Sequence, residues 1–157
     1  MIIRCFLVIM MVVFTPFDSR AGSDDKVYKL PAHYIAKHIK TTQGQKRVLM
    51  IYASWCPSCV RKMPDIMDIE RVKEGSVIAV AVDRNFSHFA RYVRKLDDVP
   101  FKVIVSRDDE SKLANVLADF GVTRWEYIPN FVLLDENNNV VGQGSMDVGR
   151  VAQFILQ

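Results

Sequence analysis

The sequence contains little cysteine, no long apolar run and no block of charge of one sign. Three cysteines occur in 157 residues, and 21 Lys and Arg stand against 18 Asp and Glu, a net charge of +3. So small and scattered a basic excess does not predict nucleic-acid binding. Charges spread through everything after residue 20 exclude a protein with several membrane spans, and a 50% apolar share excludes a disordered chain. One domain with its own hydrophobic core is expected.

Residues 1–21 have the pattern of a secretory signal peptide. Arg4 supplies the positive charge, residues 5–14 form the apolar stretch, and residues 19–21 form a small-x-small cleavage site. Pro16 interrupts the apolar stretch before it reaches the roughly 20 residues that a transmembrane helix needs. An uncleaved N-terminal anchor is the alternative, and both predict an extracytoplasmic domain.

Cleavage after Ala21 would leave a mature domain of residues 22–157. It would remove Cys5, so that the mature chain holds only Cys56 and Cys59. An even pair of cysteines suits a compartment such as the periplasm, where disulfides persist.

Past a short polar segment, the pattern alternates between strands and helices, without a linker or an internal repeat. This alternation predicts a single α/β domain. The predicted strands are residues 27–30, 48–53, 77–82, 101–105, 130–134 and 140–143, and the predicted helices are residues 31–40, 57–72, 86–97, 110–120 and 148–156. The aromatic residues assigned to the core are Tyr52, Phe86, Phe89 and Phe120.

A Cys-x-x-Cys motif, Cys56 to Cys59, stands where a buried strand passes into a helix. Unpaired N–H groups and the helix dipole at that position stabilise a thiolate on Cys56, and Cys59 lies one turn later on the same face. A thiolate attacks disulfides, and a second thiol can release the substrate. The alternatives are a zinc site, which would need two more ligands, and a structural disulfide, which would be a weak constraint across so short a loop.

The chain resembles the thioredoxin-fold family over most of residues 27–157. Trp55-Cys56-x-x-Cys59 is similar to that family's active site, and Pro64 matches its helix proline. Ile128-Pro129 is similar to the family's cis-proline loop, which lies against the cysteines and offers backbone hydrogen bonds to a substrate peptide. A trans proline opening an edge strand is the alternative.

An extra helix and strand, residues 86–105, resemble the insertion of the exported TlpA/ResA branch. The resemblance implies a central mixed sheet with helices on both faces, and reduction of disulfides in exported proteins such as apocytochrome c. It also implies substrate contacts from Trp55, Pro57, Ile128 and Pro129. The partners implied are exported disulfide-containing proteins and a membrane thiol-relay electron donor, with no nucleic acid.

Two departures concern the proton of the resolving cysteine. The branch commonly has an acidic residue at the position of Lys62, and thioredoxin has a buried Asp at the position of Met50. Glu126, in the loop before Pro129, could replace these carboxylates, and Lys62 could favour the thiolate by its charge. For both side chains, a solvated surface charge is the alternative.

The predicted function is therefore that of a monomeric thiol:disulfide oxidoreductase in which Cys56 attacks and Cys59 resolves. No cofactor beyond a redox-active Cys56–Cys59 disulfide, and no metal, is expected. The Pro-Ser dipeptide contains no His, which favours a reductant. A disulfide oxidase or isomerase remains an alternative, as does a metal carrier or chaperone that binds through the thiols. Trp125 and Tyr127 could form an apolar rim for a protein partner or could fold inward.

Overall fold

The computed structural model describes residues 27–157, which form a six-stranded mixed sheet and five helices. The strands are β1 Val27–Leu30, β2 Arg47–Tyr52, β3 Val77–Ala81, β4 Val103–Ser106, β5 Asn130–Leu134 and β6 Val140–Gly144. The helices are α1 Ala32–Thr41, α2 Pro57–Val72, α3 Phe86–Val93, α4 Glu110–Ala118 and α5 Val148–Leu156. The strand order is β1-β4-β3-β2-β5-β6, with β1 to β4 mutually parallel where they pair and β5 antiparallel to β2 and β6. The predicted mixed sheet is confirmed.

The central strands are buried on both faces because their side chains alternate between two apolar clusters. On one face, Met50 and Tyr52 of β2 pack with residues of α2, α3 and α5. On the other, Leu49 and Ile51 pack with residues of α1 and α4. Every β2 and β3 residue is buried, and all of them except Arg47 at the start of β2 belong to the unbroken apolar runs in the sequence.

The predicted insertion is present as α3 and β4. Its strand lies between β1 and β3, so β1 pairs with β4 at the edge of the sheet. The C-terminal ends of β2 and β3 remain adjacent, with Tyr52 opposite Ala81. The segments that follow these two strands are thereby brought to the same edge.

Most predicted elements are confirmed, with differences at their ends. β1, α2, β5 and α5 have the predicted bounds, whereas α3 ends at Val93 instead of residue 97 and β4 begins at Val103. Pro31 is the residue before α1, and the Ala32 N–H donates to the Asp108 carboxylate at 2.8 Å. The assignment of Phe86 to the core is wrong: its ring is 38% exposed at the start of α3, and Lys29 Nζ lies 5.3 Å from the ring centre.

Phe120 is half-buried against the α1/α4 cluster, and Tyr52 and Phe89 are fully buried. Within residues 27–157, none of the helices is both long and apolar enough to cross a membrane. The predicted signal peptide lies outside the described residues.

Candidate active site

Cys56 lies directly before the first turn of α2, as the sequence predicts. It is the N-terminal cap of the helix: the Cys59 N–H donates to Cys56 Sγ at 3.3 Å. Pro57 occupies the first helical position, where its missing N–H costs no hydrogen bond. The Ser58 hydroxyl lies 3.2 Å from the same sulfur. The backbone turn and one side chain therefore both stabilise negative charge on Cys56.

The two thiols differ in acidity. Burial raises the pKa of the Cys56 thiol, but hydrogen bonds from Cys59 and Ser58 outweigh it, so the net pKa lies below the usual value. Burial, with a smaller contribution from Cys56, raises the pKa of Cys59 to about 12. Cys59 is fully buried, no disulfide joins it to Cys56 in this structure, and it lies in the first turn behind the Cys56 sulfur, which it can attack from within the protein. This is the division between a nucleophile and a resolving thiol.

The loop before β5 lies against the nucleophile. The Ile128–Pro129 peptide bond is cis, as predicted from the resemblance. The Cys56 thiol donates to the Ile128 carbonyl at 3.6 Å. Pro129 is buried, so the loop presents backbone groups of its preceding residues beside the sulfur.

Two large aromatic side chains flank this contact. Trp55, the residue before Cys56, is 63% exposed, and Tyr127, the residue before Ile128, is 74% exposed. Trp125 instead packs against the α1/α4 cluster, and its Nε1–H donates to Glu110 at 3.4 Å. Of the two aromatic residues considered for an apolar rim, Tyr127 has the required exposure and Trp125 folds inward.

The structure brings neither candidate charged group to the sulfurs. The Lys62 ammonium donates to the Met146 carbonyl at 3.0 Å and lies 5.8 Å from the centre of the Phe131 ring. Glu126 is exposed and forms no hydrogen bond or ion pair with any residue in 27–157. Met50 is fully buried in the same apolar cluster as Cys59. A tuning role for Lys62 or Glu126 stays a prediction.

A hydrogen-bonded group that the sequence analysis missed lies at the same edge of the sheet. Asp83, which is 5% exposed, accepts hydrogen bonds from the Ser54 N–H at 2.9 Å and from the Ser54 hydroxyl. The same hydroxyl lies 3.1 Å from His88 Nδ1. The signal for Asp83 was available, because it follows β3 by two residues just as Ser54 follows β2, and parallel neighbours end at the same edge.

Two tyrosines in or against the apolar cluster that contains Cys59 have hydroxyls without a hydrogen-bond partner among the described residues. Tyr52, on β2, is fully buried, and the hydroxyl oxygen of Tyr92, on α3, is buried as well. Burial raises the pKa of Tyr52, helped by the charges of Tyr92, Asp83 and Cys59, and burial, Cys59 and Asp83 likewise raise the pKa of Tyr92. Neither hydroxyl forms a hydrogen bond with Cys59 or Asp83.

A cavity of about 780 Å³ lies beside the hydrogen-bonded Ser54, Asp83 and His88, and it is lined among others by Trp55, Asp83 and His88. In the described part of the chain, no three His, Cys, Asp or Glu side chains are placed to hold a metal ion together. The paired thiols, by their unequal acidity, instead define a dithiol redox centre on an α/β sheet.

Known structures share this fold. The exposed lipoprotein thioredoxin Etrx1 of Streptococcus pneumoniae is 22% identical with a TM-score of 0.58, over 75% of this chain and 88% of that one. A thioredoxin-family thiol:disulfide interchange protein of Chlorobium tepidum is 16% identical with a TM-score of 0.60, over 74% and 81%. A secreted Mycobacterium tuberculosis disulfide oxidoreductase homologous to Escherichia coli DsbE is 17% identical with a TM-score of 0.54, over 74% and 84%. None of the proteins with curated descriptions matches the chain.

The Redoxin family matches residues 23–151, and the chain belongs to that family. The thioredoxin fold predicted from the Cys-x-x-Cys motif and the proline loop is confirmed. Family membership and the geometry of Cys56 and Cys59 together define a thiol:disulfide oxidoreductase, without fixing the direction of electron flow.

Proposed function

We propose that this protein reduces disulfides of exported proteins outside the cytoplasm, with Cys56 as nucleophile and Cys59 as resolving thiol. The observation that carries the proposal is the position of Cys56 as the N-terminal cap of α2, where the Cys59 N–H donates to its sulfur at 3.3 Å and the Cys59 thiol is fully buried. In keeping with this position, the pKa of Cys56 is lowered and that of Cys59 is raised to about 12. Attack by the Cys56 thiolate forms a mixed disulfide with the substrate. Attack by Cys59 on the Cys56 sulfur then releases the substrate as a thiol and leaves a Cys56–Cys59 disulfide.

The proposed direction of electron transfer follows from the groups that stabilise the Cys56 thiolate. The causes that lower the pKa of Cys56 are hydrogen bonds from Cys59 and Ser58, and no cation is among them. Strong stabilisation of the reduced form makes a dithiol an oxidant, so a thiolate held only by neutral donors favours a reductant. A membrane thiol-relay donor would then have to reduce the Cys56–Cys59 disulfide after each turnover.

Substrate contact is assigned to the surface around the nucleophile. Exposed Trp55 and Pro57 lie on one side of Cys56, and the Ile128 carbonyl lies on the other. An extended substrate segment could pair with the backbone before Pro129 while its disulfide meets Cys56. The extracytoplasmic location rests on the signal-peptide pattern of residues 1–21, and apocytochrome c is one substrate of the expected class.

The test combines activity with redox potential. The mature domain should accelerate insulin reduction by dithiothreitol, whereas Cys56→Ser should abolish the acceleration and Cys59→Ser should accumulate mixed disulfide. Equilibration with glutathione should give a potential near thioredoxin's, about −270 mV. A potential of about −120 mV, typical of the strong oxidant DsbA, would mean that the protein oxidises its substrates instead of reducing them. Stoichiometric bound metal without acceleration would instead favour a carrier.

A further inference from the structure

The cavity beside Trp55 is formed where the four parallel strands end. Residues at or just after the C-terminal ends of β1, β2, β3 and β4 line it, among them Lys29, Trp55, Arg84 and Arg107. This edge of an open α/β sheet is where ligands commonly bind. A volume of about 780 Å³ is within the range of ligand-binding clefts. The cavity is therefore large enough to receive part of a binding partner.

Two hydrogen bonds connect the wall of this cavity to the segment that carries the nucleophile. Asp83 accepts the Ser54 N–H at 2.9 Å and also the Ser54 hydroxyl. Arg84 is the next residue after Asp83, and Cys56 is two residues after Ser54. Trp55, between Ser54 and Cys56, is 63% exposed and lines the cavity. A substrate segment bound at Cys56 can therefore extend over Trp55 into the cavity.

The carboxylates in the wall are already hydrogen-bonded within the protein. Each of the four accepts a hydrogen bond from another group of the described chain; they are Asp83, Asp108, Asp109 and Glu110. Asp108, for example, accepts the Ala32 N–H at 2.8 Å and the Lys112 ammonium at 2.9 Å, and these bonds lower the pKa of its carboxyl. The negative charges of the wall therefore hold helix starts and loops of the protein itself.

The cations in the wall have no such partners. Lys29, Arg84 and Arg107 are exposed, and none of their charged groups forms a hydrogen bond or an ion pair with residues 27–157. The Lys29 ammonium lies 5.3 Å from the centre of the Phe86 ring, a contact that leaves its N–H donors free. Because four carboxylates and three cations nearly cancel in net charge, the free groups decide which ligand fits, and these groups are hydrogen-bond donors.

Free cationic donors beside a dithiol centre match a carboxylate on the substrate. A guanidinium presents paired N–H groups that fit the two oxygens of a carboxylate, and an ammonium adds a further donor. The substrates proposed above are proteins, whose side-chain carboxylates are those of Asp and Glu. An extended chain advances about 3.3 Å per residue, so three residues span about 10 Å, which is enough to extend beyond the Trp55 side chain.

We propose that Lys29, Arg84 and Arg107 bind an acidic side chain, Asp or Glu, which lies about three residues from the disulfide cysteine of a protein substrate. The cavity thus favours disulfides in acidic segments among those that reach Cys56. This inference rests on the proposed role of Cys56 as the nucleophile. The three cations hold the substrate and take no part in the exchange of sulfur bonds.

The probe is a pair of peptides that differ in one charge. Each peptide carries one cysteine as a mixed disulfide with thionitrobenzoate, and either Glu or Gln three positions before or three positions after that cysteine. Attack by Cys56 on the peptide sulfur releases the coloured thionitrobenzoate anion and leaves the peptide disulfide-bonded to Cys56. With reduced full-length protein and limiting peptide, the Glu peptide should react about fivefold faster in at least one position, an effect of the size that exposed ion pairs give. Saturating peptide should remove the difference, because the cations act on binding.

Two double variants locate the effect. Arg84→Gln with Arg107→Gln should slow the Glu peptide to the rate of the Gln peptide, and because both side chains are exposed and unpaired within the described chain, this variant should fold. Arg91→Gln with Arg150→Gln removes the same charge from exposed positions outside the cavity, so it is the matched control and should keep the fivefold preference. In about 0.5 M NaCl the preference of the wild type should fall below twofold, because salt screens exposed charges.

A binding measurement separates this inference from the redox role. Fluorescence anisotropy of dye-labelled peptides that carry Ser in place of the cysteine should show about fivefold tighter binding of the Glu peptide to Cys56→Ser, without any disulfide exchange. Preferential binding of the Glu peptide without release of thionitrobenzoate by the wild type would support the cavity and contradict the proposed function. Release at equal rates from both peptides, with equal affinities, would overturn the role of the cavity and leave the proposed function standing.

Three further results would overturn the inference. Equal loss of the preference in the matched control would mean that net charge attracts the peptide and the cavity does not. Faster reaction of a Lys peptide than of the Gln peptide would mean that the carboxylates of the wall dominate. Binding of the wild type, but not of the Arg84 and Arg107 double variant, to phosphatidylglycerol vesicles, together with equal rates for the two peptides, would assign these cations to an anionic membrane surface.

Discussion

The two ends of the central strands use buried polar groups in different ways. At the end where β2 and β3 begin, Glu70 accepts backbone N–H groups at 2.7 and 2.8 Å, and Arg47 donates to Thr42, Asn138 and the Ile39 carbonyl. At the end where these strands finish, the thiols have altered acidities and the hydroxyls of Tyr52 and Tyr92 have no partner in the described chain. At the first end, three donated hydrogen bonds join Arg47 to other elements and only its Nε is left without a partner in the described chain, whereas the second end leaves two hydroxyls without a partner in or against the apolar cluster that contains Cys59.

The largest expected effect is the difference in alkylation rate between the Cys56 and Cys59 thiols. Because the pKa of Cys56 is lowered and burial raises that of Cys59 to about 12, iodoacetamide at pH 7 should alkylate Cys56 at least ~10³ times faster. Raising the pH should increase the Cys56 rate until its thiol is fully ionised, whereas the Cys59 rate should still rise towards pH 12. Mass spectrometry of peptides from timed samples gives both rates. Similar rates at pH 7, or loss of modification in Cys59→Ser but not in Cys56→Ser, would contradict the assignment.

At the end of the sheet where β2 and β3 begin, the expected effect is on the free energy of unfolding. Glu70→Ala leaves the N–H groups of Gly75 and Val77 without their acceptor, so the free energy of unfolding should fall by about 2–4 kcal/mol. Urea denaturation measures this change. Glu74→Ala, an exposed change one turn further along the chain, is the control and should alter stability by less than about 0.5 kcal/mol.

In the folded Glu70→Ala protein, alkylation of Cys56 should keep its wild-type rate. A slower rate would show that the two ends of the sheet are coupled, and it would remove the distinction between a structural end and a reactive one.

The fold could be predicted because the chain's strongest patterns are also its most buried elements. β5 and α5 have their predicted bounds, and the run that becomes β3 differs by one residue. The helix ends were less accurate: residues 94–97 continue the helical spacing beyond Val93, but the chain there turns instead. Phe86 was misplaced for a related reason, since spacing gives the face of a helix but not the depth of its first turn.

At the site, local chemistry was predictable and contacts between distant segments were not. Cys56, Pro57 and Cys59 form one continuous motif, so the strand-to-helix boundary was sufficient to assign them. Asp83 and Tyr92 lie 27 and 36 residues beyond Cys56 in the sequence, and their proximity depends on strand pairing and on how α3 packs. Only extension of the β2/β3 register, from Tyr52 opposite Ala81, could have placed Asp83 beside Ser54.

The smallest expected effect tests whether Lys62 belongs to the reactive end or to the supporting structure. Its ammonium donates to the Met146 carbonyl at 3.0 Å and lies over Phe131, so Lys62→Met should lower the free energy of unfolding by about 0.5–1 kcal/mol. Lys62 is not among the causes that lower the pKa of Cys56, so the alkylation rate of Cys56 should fall by less than about twofold. Lys37→Met, which removes an exposed charge from α1, is the control for the change in net charge. A fivefold or larger fall in the Lys62 variant alone would show that this ammonium stabilises the thiolate, and it would extend the reactive end along α2 by a full turn.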